Sequence, residues 1–133
     1  MTSRHASCAC GRLRLTCAGD PIRVSVCHCL ACQQRTGSAF GAQARFRRGQ
    51  VLAIEGASTP FTRTGDGGTA ITFHFCPACG STVYWEIPTL PDFVVVAVGA
   101  FADPTFPAPT VSVYEARQHP WTALTAAGVE HLE

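Results

Sequence analysis

The sequence predicts a mainly β, single-domain protein, and three observations carry that expectation. Apolar and polar residues alternate with a period of two in several short segments, as in strands with one buried face. Turn signals containing Gly or Pro separate those segments. No stretch shows a sustained 3.6-residue period.

In chain order, Leu13, Leu15 and Cys17 alternate with Arg12, Arg14 and Thr16, which predicts a strand over residues 12–17. Ile22, Val24 and Val26 do the same over residues 22–27. Residues 39–46, 51–55, 70–75 and 82–87 are further strand candidates. Residues 93–98 are continuously apolar and predict a strand buried on both faces, and residues 111–115 give the eighth strand. The intervening turns are Gly19-Asp20-Pro21, Arg48-Gly49-Gln50, Gly65-Asp66-Gly67-Gly68 and the proline-rich residues 103–109. The one helical candidate is a turn or two at residues 30–35. Eight short strands without an internal repeat argue for an all-β domain.

A chain of 133 residues that is 47% hydrophobic can close a single core without covalent staples. Net charge is +1 and all ten basic residues are arginine, so no broad field attracts nucleic acid or an anionic membrane. The first six residues hold no apolar secretory segment. The longest apolar run, residues 93–102, is half the length of a membrane span. A cytoplasmic location is therefore expected, where thiols stay reduced and clustered cysteines read as metal ligands rather than disulfides. Leu132 and Glu133 match the scar that often precedes an affinity tag, and they are set aside.

Seven of the eight cysteines fall in three clusters: Cys8-Ala9-Cys10-Gly11, Cys27-His28-Cys29-Leu30-Ala31-Cys32 and Cys76-Pro77-Ala78-Cys79-Gly80. The third is the most specific. Two cysteines three apart reach a tetrahedral ion if the chain turns tightly, and Pro77 and Gly80 suit that turn. One such zinc knuckle supplies two ligands, so a closed site needs two more. In one arrangement Cys29 and Cys32 join Cys76 and Cys79, leaving Cys8, Cys10 and Cys27 as spare thiols. In the other, Cys8 and Cys10 complete the knuckle, and Cys27, Cys29 and Cys32 form a second site. The second arrangement uses seven cysteines and is the more economical. A four-thiolate site is saturated and structural, whereas a three-thiolate site keeps a position open for water or a soft thiol. A histidine (His5, His28, His74 or His119) could also close the second site. Cys17, alone on a strand, reads as a small buried hydrophobe.

With these residues in view, the chain resembles the glutathione-dependent formaldehyde-activating enzyme family, which also contains centromere protein V. The matching segments are Ser7-Cys8-Ala9-Cys10-Gly11, then Cys27-His28-Cys29-Leu30-Ala31-Cys32 followed by Thr36-Gly37-Ser38-Ala39-Phe40. Phe75-Cys76-Pro77-Ala78-Cys79-Gly80-Ser81, Val96-Ala97-Val98-Gly99 and His119-Pro120-Trp121 complete the set. The resemblance implies an Mss4-like fold of zinc-braced folded sheets over residues 6–124, with residues 125–133 as a C-terminal tail. It implies two zinc ions per chain: a structural one on Cys8, Cys10, Cys76 and Cys79, and a catalytic one on Cys27, Cys29 and Cys32. It further implies a carbon–sulfur lyase or S-(hydroxymethyl)glutathione synthase activity, with glutathione or a similar thiol and a small aldehyde as substrates.

Gly37, Ser38 and Phe40 follow the second cluster and are expected in the pocket wall. Arg35, Arg45, Arg47, Arg48 and Arg63 are available to hold substrate carboxylates, although no spacing singles out a clamp. The competing reading is a non-catalytic zinc-knuckle module for nucleic acid or protein, supported only by Arg45, Arg47 and Arg48. The neutral charge balance and the absence of interleaved basic and aromatic residues weigh against it.

Overall fold

A computed structural model describes residues 2–65 and 67–133. Within them lie eleven strands: β1 (Ser3–Ser7), β2 (Arg14–Ala18), β3 (Arg23–Cys27), β4 (Gly41–Arg47), β5 (Val51–Glu55), β6 (Thr59–Thr64), β7 (Ala70–Phe75), β8 (Thr82–Glu86), β9 (Phe93–Ala97), β10 (Val111–Val113) and β11 (Glu130–His131). One α-helix, α1 (Leu30–Thr36), follows β3. The strands form a three-stranded sheet, β1-β2-β5, and an eight-stranded sheet, β11-β10-β3-β4-β9-β8-β7-β6. Neighbours pair antiparallel except at β10, which runs parallel to both β3 and β11. The fold is thus mainly β, as the alternation predicts.

Packing follows the sequence pattern. Ala6, Leu13, Leu15 and Cys17 from the small sheet meet Val24, Ala44, Phe46, Val83, Val94 and Val96 from the large one in the main core. Burial of this kind is the dominant stabilising contribution, about 25 cal/mol per Å² of apolar surface removed from water. β9 explains its own unbroken apolar run. Val94 and Val96 point into the main core, while Val95 points to the opposite face, where it packs with Phe73 and Trp85. The large sheet therefore carries two apolar faces, and the second forms the wall of a cavity.

Three strands escape the period-two pattern. β1 is polar, with Arg4, His5 and Ser7 flanking its one fully buried residue, Ala6. β6 contains Pro60, which the edge position tolerates because that nitrogen needs no ladder partner. β11 lies within residues 125–133 and is held by Glu130 N–H donating to Thr110 O and Leu132 N–H donating to Ser112 O. Three predicted ends also move. The strand expected from residue 39 starts at Gly41, because Gly37 closes α1 and residues 38–40 connect. β9 stops at Ala97, where a 3₁₀ turn (Val98–Phe101) folds Phe101 into the core. β10 stops at Val113, since Tyr114 takes a left-handed conformation at φ 57°. Of the Gly65-to-Gly68 turn, Asp66 lies outside the described residues.

Candidate metal centre

Two groups of sulfurs stand out among the described residues: Cys8, Cys10, Cys76 and Cys79, and Cys27, Cys29 and Cys32, with the sulfurs of each group all within 4.8 Å of one another. The first group comes from two loops. Cys8 ends the chain leaving β1, and the turn back to β2 is fixed by Cys8 N–H donating to Leu13 O (2.9 Å) and Gly11 N–H to Cys8 O (3.1 Å), with Gly11 at φ 83°. The β7–β8 loop makes the matching turn, with Gly80 N–H donating to Cys76 O (2.8 Å). Because β1 and β7 belong to different sheets, this cluster joins the two sheets at one end of the core.

The donor set fits zinc. Cys8 Sγ to Cys10 Sγ and Cys10 Sγ to Cys76 Sγ are both 3.6 Å. That is close to the edge of about 3.8 Å for a tetrahedron with Zn–S bonds of about 2.3 Å. Backbone N–H groups of Leu13 and Ala78 donate to the sulfurs of Cys8 and Cys76, at 3.2 and 3.4 Å. Hydrogen bonds with the Ser81 side chain and backbone bring the Cys79 thiol down to about 5.

The second group is local. Cys27 ends β3, Cys29 caps α1, and Cys32 lies in the first turn of the helix. The Cys29 sulfur accepts the backbone N–H of Cys32 at 3.3 Å, acting as the helix N-cap. Gly37 closes the other end at φ 68°. His28, between two of the cysteines, turns into the protein. It is fully buried and its Nε2 lies 2.9 Å from Ser112 Oγ, while its backbone N–H donates to Val113 O. His74 stacks on Tyr84, His119 bonds to Gln33, and His5 lies by Thr16, so each histidine weighed for a fourth position is engaged elsewhere.

A hydrogen bond from the Cys27 thiol, with others from Cys29 and Arg35, brings Cys32 down to about 5 against the opposing effect of burial. The Cys27 thiol, which donates that bond and is itself buried, is pushed up. A bound zinc ion would favour all three thiolates. Each of the two clusters could hold zinc. Cys17, alone in the core, is raised to about 11 by burial and joins neither.

The three cysteines open into a cavity of about 460 Å³, a size that suits a small-molecule ligand. One wall is the second apolar face of the large sheet, with Ile71, Phe73, Trp85, Ile87 and Val95. Arg35 crosses this wall. Its guanidinium stacks 4.4 Å from the Trp85 ring and 5.3 Å from the Phe73 ring, and its charge lies beside the Cys32 sulfur. Gly41 makes room for it: a Cβ there would stand 2.8 Å from Arg35 Nη2.

Residues 3–117 match the glutathione-dependent formaldehyde-activating enzyme family. The chain belongs to this family. A crystal structure of a Rhodobacter sphaeroides protein is similar at 19% identity and a TM-score of 0.53, covering 72% of this chain and 85% of that one, and so shares the fold. Comparison with curated proteins gives no match. Membership of the formaldehyde-activating family brings glutathione-dependent activation of formaldehyde as the function class, in keeping with two cysteine clusters able to hold zinc. No helix among the described residues is long and apolar enough to cross a membrane.

The cavity wall differs from the sequence expectation. Gly37, Ser38 and Phe40 do not line it. They sit at the far end of α1, where Phe40 packs 6.0 Å from the His28 ring on the inner side. Of the five candidate arginines, Arg35, Arg45 and Arg63 line the cavity. Arg48 instead bonds to Glu86 and to Pro91 O, and Arg47 is exposed at the end of β4. Arg23, Tyr114 and the aromatic pair Phe73–Trp85 were not foreseen. Strand parity could have found Arg23, which lies two and four residues before Ser25 and Cys27 on the same face of β3.

Proposed function

We propose that the protein is a zinc-dependent carbon–sulfur lyase that reversibly joins a thiol, glutathione or a similar molecule, to a small aldehyde such as formaldehyde. The observation that carries this reading is the set of three sulfurs facing a 460 Å³ cavity, with no fourth Cys, His, Asp or Glu in the group among the described residues. In the addition direction the thiol sulfur forms a bond to the aldehyde carbon. The carbon–oxygen π pair moves to oxygen, and the thiol proton ends on that oxygen, giving a hydroxymethyl thioether. No oxidant or reductant is needed.

Cys27, Cys29 and Cys32 would hold the catalytic zinc, and Cys8, Cys10, Cys76 and Cys79 the structural one. The catalytic zinc, when bound, supplies a Lewis-acidic position that keeps a substrate thiol ionised near neutral pH. The protein's own residues do the rest. Three cysteinates around a divalent ion leave a net charge near −1, which the half-buried Arg35 guanidinium beside Cys32 offsets. The wall of Ile71, Phe73, Trp85, Ile87 and Val95 keeps bulk water from the thiolate, so that it is poorly solvated and reactive. The α1 cap orients Cys29 and Cys32 together. Reduced thiols of this kind suit the cytoplasm, which is the proposed location.

The test is to follow adduct formation between glutathione and formaldehyde by exchange NMR, with zinc-loaded protein. The expected result is exchange faster than the spontaneous reaction. A rate equal to the spontaneous one rejects this substrate pair.

A further inference from the structure

The cavity beside the three cysteines holds four arginines in two pairs. Arg23 and Arg45 are direct cross-strand partners on β3 and β4, and both line it. Like charges placed directly opposite on a sheet destabilise it. Arg35 and Arg63 form the second pair, on α1 and β6, and both guanidinium groups pack against the Phe73 ring, at 5.3 and 5.0 Å. The Nε atoms of both are buried without a hydrogen-bond partner.

No acidic side chain among the described residues lines this cavity, and none forms an ion pair with any of the four arginines. Arg4, Arg14 and Arg48, by contrast, each have a carboxylate partner. Among the described residues the four in the cavity have none, and holding like charges together in a partly buried site is costly. The like charges of the strand pair also oppose one another: Arg45 is lowered by burial and by Arg23. An arrangement that is unfavourable in the empty protein becomes favourable when two anionic groups enter it.

The pairs are spaced along a track. Arg23, Ser25 and Cys27 share one face of β3, and their partners Arg45, Gln43 and Gly41 share the same face of β4. At about 3.3 Å per residue, Arg23 starts roughly 13 Å from Cys27 along the strand. Arg35 lies beside the sulfurs, with Ser25 and Gln43 between the two ends.

We propose that this cavity recognises its thiol substrate by two anionic groups, one held by Arg35 and Arg63 beside the cysteines and the other by Arg23 and Arg45 at the far end of the track. This deepens the lyase reading, because it names the class of thiol: a small, extended molecule that carries two anionic groups. The anions are carboxylates or phosphates, both of which match the guanidinium fork.

The test is calorimetric titration of the zinc-loaded protein with S-methylglutathione, which keeps both carboxylates but cannot offer a thiolate. Its diethyl ester, which keeps the ammonium and loses both carboxylates, is the control. The ester is expected to bind about tenfold more weakly or worse, the loss of charge-assisted hydrogen bonds. Arg23→Gln and Arg63→Gln should each weaken S-methylglutathione by about tenfold and leave the ester unchanged. Arg23 is exposed, so its variant keeps the question answerable if Arg63→Gln fails to fold. Equal affinities for the two probes, or a folded Arg23→Gln that binds as the parent does, overturn the proposal. S-methyl-coenzyme A in the same titration separates the anions: tighter binding than S-methylglutathione assigns phosphates to the pairs, weaker binding assigns carboxylates.

Failure of the cradle and failure of the lyase reading look different. Binding of S-methylglutathione without accelerated adduct formation keeps the cradle and rejects the reaction. Acceleration that is equal for glutathione and its diethyl ester keeps the reaction and rejects the cradle.

Discussion

The two cysteine clusters use the same donor atom, yet the chain builds them in opposite ways. The four-cysteine group is assembled from two loops on two sheets, so its formation requires the core between them to close. The three-cysteine group is assembled within six residues, from the end of one strand and the start of the next helix. In the first, Cys10 and Cys79 are exposed, and the four donors close on one another. In the second, Cys27 and Cys32 are buried and the open side faces a cationic cavity. On the function proposed above, long-range assembly makes a brace and local assembly beside a cavity makes a reactive position.

The brace should break first. Cys76→Ser removes a fully buried ligand from the cluster that ties the sheets together. Structural zinc binding in small zinc domains is worth about 10–16 kcal/mol, so losing one of four ligands should cost several kcal/mol and lower the zinc content by one ion. Denaturant unfolding with a parallel zinc assay measures both. A Cys76→Ser protein as stable as the parent would mean that the sheets hold without the brace.

The open cluster should behave differently. Cys29→Ser replaces the helix cap with a residue that caps at least as well, so α1 survives while one thiolate is lost. We expect adduct formation at the spontaneous rate, one zinc ion fewer, and an unfolding free energy within about 1 kcal/mol of the parent. Retained catalysis would remove the three-cysteine group from the chemistry.

This contrast also explains what the sequence made legible. Cysteine spacing exposes the clusters, because ligands near one another in sequence leave a pattern that survives without coordinates. Strand alternation exposes the faces that meet in the main core, from Leu13 to Val96. What it hides is the cavity. Arg23, Arg35, Arg45 and Arg63 lie far apart in sequence and on four elements, and only sheet order brings them together. The edge strand β6 is hidden for a related reason. It is mostly exposed, contains Pro60 and needs little apolar patterning, yet it delivers Arg63. Arg48 shows the converse, being a plausible ligand-binding group by sequence that Glu86 holds elsewhere.

Between the clusters in expected effect stands the inner tie of the open site. Ser112 is fully buried and is the one hydrogen-bond partner of the His28 ring among the described residues, since Nδ1 has none. Ser112→Ala leaves the ring wholly unsatisfied, which should cost about 1–3 kcal/mol. Zinc content should stay the same, because the histidine serves as a strut between β3 and β10 rather than as a ligand. Loss of a zinc ion in this variant would show that the strut also sets the ligand geometry.

The smallest effect on stability should be the most informative about the cavity. Gly41 stands opposite Cys27 across the β3–β4 pair, and its missing side chain leaves the space that Arg35 fills. In Gly41→Ala the new methyl meets Arg35 Nη2 and lies 3.5 Å from Cys32 Cβ, an ordinary contact. The arginine must therefore move while the cysteine need not. Replacing a strand glycine restricts the unfolded chain and stabilises by about 0.4–1 kcal/mol, which offsets the displaced stacking on Trp85. Net stability and zinc content should thus be nearly unchanged. Binding of S-methylglutathione should still weaken several-fold, because the guanidinium no longer sits where the first anion docks. A variant that binds S-methylglutathione as the parent does would place Arg35 outside anion recognition and reduce its role to balancing the thiolate of Cys32.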